Sequence, residues 1–163
     1  MSLSEKLASI APSSTLVMTQ KARQLRESGV DVISLSSGEP DFDTPDHIKK
    51  AAIRAIEKGQ TKYTNVDGIP QLKDAICAKF KRDNGLTYTP AQINVSPGGK
   101  AVIYNALIAS LNEGDEVIIP APCWVSYPEM VRLAGGVPVL IQTSFAHGYR
   151  LTPESLARAI TPR

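Results

Sequence analysis

The sequence is short of the residues that carry most metal and redox chemistry. Its 163 residues include two cysteines, Cys77 and Cys123, and two histidines, His47 and His147. The cysteines stand too far apart for a Cys-X-X-Cys redox or zinc motif, and no cluster of His, Cys and carboxylates has metal-ligand spacing. Two free thiols and two solvated imidazoles are the reading this usage supports, and no metal site is expected. Charge of one sign is scarce as well. Eighteen Lys and Arg face sixteen Asp and Glu, a net charge of +2, which gives no reason to expect nucleic acid. The apolar runs fall far short of a membrane span. Glu5 and Lys6 stand where a signal peptide would need an apolar stretch. The expectation is a cytoplasmic protein with no membrane partner.

What is present is ordinary soluble composition, 42% hydrophobic and 21% charged, arranged as helices alternating with short apolar runs. A polar helix is expected over Ser2 to Ile10 and a second from Leu16 to Ser28, closed by Gly29. Asp31 to Leu35 reads as a strand. Thr44 has the character of an N-cap with Pro45 at the first helical position. The i, i+3, i+4 stripe of Ile48, Ala51, Ala52, Ala55 and Ile56 then runs to Gly59. A further helix is expected from Pro70 to Asp83, with Leu72, Ala75, Ile76, Lys79 and Phe80 on one face. Ile93 to Ser96 reads as a strand entering Pro97-Gly98-Gly99-Lys100 and a helix apolar nearly all round, the pattern of a buried helix. Glu116 to Ile119 and Val137 to Ile141 read as strands around a helix near Tyr127 to Leu133. Thr152-Pro153-Glu154 opens the last helix. Strands alternating with helices imply an α/β sheet with helices on its faces. Arg163 falls where the next strand of such a sheet would be expected, which reads as a piece of a longer chain.

Four places have the chemistry of a binding site. At Pro97 to Ala101 a glycine turn meets a helix start, where first-turn N–H groups lack internal partners and the helix dipole is positive. Such an end can receive a phosphate. The spacing is neither a Walker loop nor Gly-x-Gly-x-x-Gly, and taken alone the paired glycines serve equally as a plain turn. Trp124, the single tryptophan, follows the strand ending at Ile119, and ligands of open α/β sheets sit beyond the carboxyl ends of strands. Its ring can stack on a planar cofactor or can pack in a core or rim. Gly38 follows the strand ending at Leu35, where its N–H can meet a carboxylate or simply turn the chain before Pro40. Tyr63 lies in the polar loop Gln60 to Gly68, where its hydroxyl can meet an anion or solvent. Glu39, Asp41 and Asp43 read as solvated carboxylates.

These features occur in one order. Ser-Gly-Glu-Pro-Asp-Phe-Asp-Thr-Pro at 37 to 45, Lys-Tyr-Thr-Asn-Val-Asp-Gly-Ile-Pro at 62 to 70, Pro-Gly-Gly-Lys-Ala at 97 to 101 and Pro-Ala-Pro-Cys-Trp-Val-Ser-Tyr-Pro-Glu-Met at 120 to 130 together resemble class I aminotransferases of fold type I. They point in particular to the bacterial aspartate aminotransferase branch that includes aspartate/prephenate aminotransferases. The resemblance implies an α/β protein with the fold type I transferase architecture, a partial three-layer α/β/α large domain with an N-terminal arm. Residues 1–45 would form the arm and part of the small domain, and 46–163 the N-terminal part of the large, cofactor-binding domain.

The resemblance also implies roles. Pyridoxal 5'-phosphate would be the cofactor. Gly99, Lys100 and Ala101 would hold its phosphate through helix-start N–H groups, and Trp124 would stack on its ring and help position substrate. Gly38 would donate its N–H to the substrate α-carboxylate. Tyr63 would reach the phosphate of a neighbouring subunit, which implies a homodimer with shared active sites. The substrates would be an amino acid, with aspartate the first candidate, and a 2-oxo acid. The family's cofactor-bearing lysine is expected beyond Arg163, so no catalytic residue is assigned among the ten lysines present, and the 163 residues alone are expected to be inactive. Ala11 precedes Pro12-Ser13 where some relatives carry a lysine, a departure that bears on prephenate use. Rival readings are another reaction on the same scaffold, such as a β-lyase or a cyclopropane-forming synthase, and a non-catalytic phosphate-binding or dimerisation module.

Overall fold

The structure, a computed structural model, describes residues 4–8 and 10–163. Contacts divide the chain into two compact units. One comprises the chain up to Gly38 together with Ile103–Arg163, and the other is Glu39–Val102.

In the first unit, α1 (Glu5–Ala8) is what the described residues show of the helix expected over Ser2 to Ile10, since Ser2, Leu3 and Ser9 lie outside them. α2 (Ser14–Glu27) starts two residues before the expected Leu16 because Ser13 caps it, its side chain accepting from the Leu16 N–H at 3.4 Å. Gly29 ends it in the left-handed region, and the Val30 N–H returns to the Leu25 carbonyl at 3.0 Å. The segment after it is extended but is not a strand, which corrects the expectation for Asp31 to Leu35. It has no ladder partner among the described residues, and a strand exists only when a neighbour takes its N–H and C=O groups. Its side chains still alternate. Val32, Ser34 and Ser36 are half-buried, while Ile33 and Leu35 are 86% and 93% exposed. Arg26 fastens the segment to α2 by donating two bonds to the Val32 carbonyl, at 3.1 and 3.0 Å.

The second unit holds α3 (Asp46–Glu57), α4 (Pro70–Asn84) and the first turn of α5 (Gly99–Ser110). Pro45, not Thr44, caps α3. The Pro45 carbonyl takes the Ile48 and Lys49 N–H groups at 2.9 and 3.1 Å, and no side chain contributes a cap bond. Asp46 in the first turn supplies the negative charge the dipole favours. α4 has Pro70 at its start and Gly85 in the left-handed conformation at its end. Its inward face is turned from the expected stripe. Lys73 is buried and Ile76, Cys77 and Phe80 are half-buried, while Leu72, Ala75 and Lys79 are exposed. Ile93 to Ser96 is extended without a strand partner among the described residues, a second correction of the same physical origin.

The rest of the first unit is a β-α-β unit. β1 (Glu116–Ala121) and β2 (Val137–Gln142) pair in parallel with Glu116 opposite Val137 and Ala121 opposite Gln142. α6 (Ser126–Leu133) is the crossover, as a parallel pair requires. The buried core sits here. Ile119 and Ala121 come from β1, and Met130 and Val131 from the face of α6 that packs on the sheet. Gly136 lets the chain return to β2, because a Cβ there would lie 2.9 to 3.0 Å from Leu111 Cδ1, the Asp115 carbonyl and Val131 Cγ1. α7 (Pro153–Ala159) packs against β2 and opens with a capping box between Thr152 and Ser155.

Candidate active site

Four segments were expected to carry the site. Gly38 and Trp124 fall in the first compact unit, Tyr63 and Gly99 to Ala101 in the second.

Trp124 stands in the loop between β1 and α6, beyond the carboxyl end of the strand. The end of the sheet there is locked. Thr143, directly after β2, donates both its N–H and its Oγ1 to the Ala121 carbonyl, at 2.8 and 2.6 Å. The Trp124 ring meets Tyr127 edge to face, with centroids 5.4 Å apart and planes at 88°. That geometry braces the ring by its quadrupole. At 41% exposure Trp124 lies outside the buried core of the described residues. A recess of about 450 Å³ lies one residue along, lined by Ile10 to Ser14, Val125, Ser126 and Glu129. Its wall is tied down by the Ala11 N–H, which donates to Glu129 Oε2 at 3.3 Å, while Arg132 holds the other carboxylate oxygen at 2.7 Å.

α5 begins at Gly99, so Gly99, Lys100 and Ala101 form its first turn as the sequence suggested. Gly98 precedes it with φ +89°, and its carbonyl accepts the Val102 N–H at 3.2 Å. A glycine in that place offers no side chain to cap the first-turn amides. Gly99 and Lys100 are exposed and Ala101 is half-buried. Tyr63 is fully exposed, in a loop where a recess of about 550 Å³ is lined by Gln60, Lys62, Thr64, Ile69 and Gln71.

The glycines separate sharply by cause. Of the eleven in the sequence, eight have φ in the left-handed region, and Gly136 is closed in by packing. Gly38 and Gly99 have neither reason. Neither has φ in the left-handed region, and among the described residues a Cβ on either would meet no atom within 4 Å. The fold of this chain does not need glycine at these two positions.

The sequence model of the aminotransferase class I and II family matches residues 30–163. The chain belongs to that family. It is 64% identical over 161 residues to the aspartate/prephenate aminotransferase of Cereibacter sphaeroides, covering 99% of this chain and 40% of that protein. It is 53% identical over 163 residues to the aspartate aminotransferase of Geobacillus stearothermophilus, covering all of this chain and 42% of that one. Among solved structures, the aspartate aminotransferase of Thermus thermophilus with maleate superposes with a TM-score of 0.96 at 50% identity, and that of Rhizobium meliloti with 0.95 at 48%. Both superpositions use the whole of this chain and 43% and 41% of the other. The fold is therefore that of the fold type I aminotransferases, in part. The chain spans about 40% of the length of the curated relatives it matches.

Three features here escaped the reading of the sequence. The Thr143 lock and the Glu129 tie depend on pairings across 22 and 118 residues, which no local pattern announces. Lys73 left a trace. It lies four residues after Ile69 and seven before Phe80, in the apolar stripe of α4, with Asp67 six residues upstream. No cluster of three or more His, Cys, Asp or Glu that could hold a metal occurs among the described residues.

Proposed function

We propose that the full-length protein is a pyridoxal-phosphate-dependent aminotransferase that exchanges an amino group between an L-amino acid, aspartate first, and 2-oxoglutarate. The observation that carries this reading is the pair of glycines the fold does not require. Gly38 and Gly99 have no atom of the described residues where a side chain would be, and a glycine beside such open space leaves its backbone N–H open to the close approach of a ligand.

In this reading the first turn of α5 holds the cofactor phosphate. Gly99, Lys100 and Ala101 present three N–H groups at the positive end of a helix dipole, which suits a doubly charged ester. Trp124, braced by Tyr127, lies against the cofactor ring and bounds the substrate space. Gly38 gives its N–H to the substrate α-carboxylate and so orients the bond to be broken. Tyr63 sends its hydroxyl to the phosphate of the neighbouring subunit in a homodimer, and its full exposure leaves it able to do so. Bound pyridoxal phosphate supplies the electron sink for loss of the α-proton. No lysine of this chain is assigned the proton transfer. Residues 1–45 serve as arm and part of the small domain, and 46–163 as the start of the large domain. The protein works in the cytoplasm.

Purified full-length protein should bind pyridoxal phosphate and convert aspartate and 2-oxoglutarate to oxaloacetate and glutamate. A preparation that binds no pyridoxal phosphate would overturn the reading, and release of pyruvate or ammonia would move it to a lyase. The 64% identical relative is named for prephenate as well, so prephenate is the second acceptor to assay.

A further inference from the structure

Lys73 is the one buried charged side chain among the described residues, 8% exposed. Its ammonium donates to Asp67 Oδ2. A buried charge is costly unless it is paired, and a salt bridge is a poor source of net stability. The placement of this pair is more informative than its energy. Asp67 ends the loop that carries Tyr63, four residues earlier. Its carbonyl accepts the Val95 N–H at 3.0 Å. Gly68 then lies against Val95 so closely that a Cβ would come within 2.6 Å of Val95 Cγ2 and 3.8 Å of Lys73 Cγ. Val95 in turn stands four residues before Gly99, with the tight turn between them closed by the Gly98 N–H on the Ser96 carbonyl at 2.9 Å. One carboxylate residue thus joins the Tyr63 loop, α4 and the lead-in to α5, all within one compact unit.

We propose that Lys73 and Asp67 are positioning residues for phosphate recognition, fixing the Tyr63 loop and the first turn of α5 on a common post. The inference rests on the phosphate roles given above for Gly99 to Ala101 and Tyr63. In the homodimer those two elements serve different phosphates, so the post couples the phosphate a subunit holds itself to the hydroxyl it sends to its neighbour. Lys73 touches neither cofactor nor substrate.

The test uses full-length protein and two probes, pyridoxal phosphate and pyridoxal, which differ only in the phosphate. Lys73→Met keeps the buried stem and removes the cation, leaving Asp67, already half exposed, to water. It should weaken pyridoxal phosphate about tenfold, the scale of a small misplacement of binding groups, and leave pyridoxal within about twofold. Lys73→Arg should restore the preference. Amide exchange of residues 60–69 and of Val95 in the cofactor-free protein should quicken in Lys73→Met and not in Lys73→Arg. Should Lys73→Met fail to fold, the double variant with Asp67→Asn, which leaves no unpaired charge, carries the same expectation. Unchanged preference for the phosphate in a folded variant overturns the proposal, as does equal weakening of both probes, which reports general loosening. A wild-type protein that shows no preference at all overturns the phosphate reading itself.

Discussion

Gly136 and Gly99 are glycines for opposite reasons, and the difference can be measured. Gly136 is buried, and its missing Cβ is the space occupied by Leu111, Val131 and the Asp115 carbonyl. Gly136→Ala should therefore destabilise the full-length protein by about 1–3 kcal/mol, the usual cost of overpacking, read as a lower denaturant midpoint with an unchanged slope. Gly99 opens a helix beside empty space. Proline is well tolerated at a first helical position, where no intrahelical bond is lost. Gly99→Pro should accordingly leave the denaturant midpoint nearly unmoved while deleting one N–H donor to the phosphate. Hydrogen bonds to charged groups are worth about 1.5–3 kcal/mol, so pyridoxal phosphate should bind roughly ten- to a hundredfold more weakly. Unaltered cofactor affinity in a folded Gly99→Pro protein would remove Gly99 from the site. The motif order told which glycines to consider. It could not tell which the fold itself required, because that depends on atoms brought in from distant parts of the chain.

At the scale of elements, the helices were legible because their signals are local. Gly29, Pro70 and Thr152 each sit at an expected end and act there, while Ser13 and Gly85 act at ends just outside the expected bounds. The two extended segments that do not form strands show the limit. Val32 and Ser34 alternate with Ile33 and Leu35 as a strand's residues do, but pairing needs a partner that periodicity cannot name. Lys73 escaped because the expected stripe, Leu72, Ala75, Ile76, Lys79 and Phe80, is turned from the face that packs, and the partner Asp67 lies outside the helix. That pair has a pH signature. The Lys73 ammonium, by its hydrogen bond, holds the Asp67 carboxyl below its ordinary value of 3.8. The unfolded chain then binds this proton more readily than the folded one. The contribution is fully present above the ordinary value and is lost as pH falls through the lower, folded value. Denaturant midpoints of wild type and Lys73→Met should differ most above about pH 4 and converge as acid is added. A gap that widens in acid would contradict the pairing.

For the whole molecule, the four-residue buried core of the first unit contrasts with the apolar surface the chain leaves open. Ile33, Leu35, Phe42, Tyr63, Val66 and Phe145 are each more than 80% exposed. Scattered surface apolar residues are normal, but Ile33 and Leu35 lie close together on one extended segment, and Tyr63 and Val66 on another. Large open apolar surface invites association. The chain also spans about 40% of the curated relatives' length, and in the proposed reading none of its ten lysines carries the cofactor. The 163-residue chain expressed alone should therefore behave differently from the full-length protein in two separable ways. Its apparent mass in light scattering should rise with concentration, because the exposed side chains find one another. Its transamination of aspartate should not exceed that of free pyridoxal phosphate at the same concentration, because the roles proposed above for the helix N-terminus and the indole are to bind and orient, not to move the α-proton. A monodisperse 163-residue chain with catalytic turnover would contradict both parts, and would mean that one of the ten lysines does chemistry that neither its sequence context nor its place in the fold suggests.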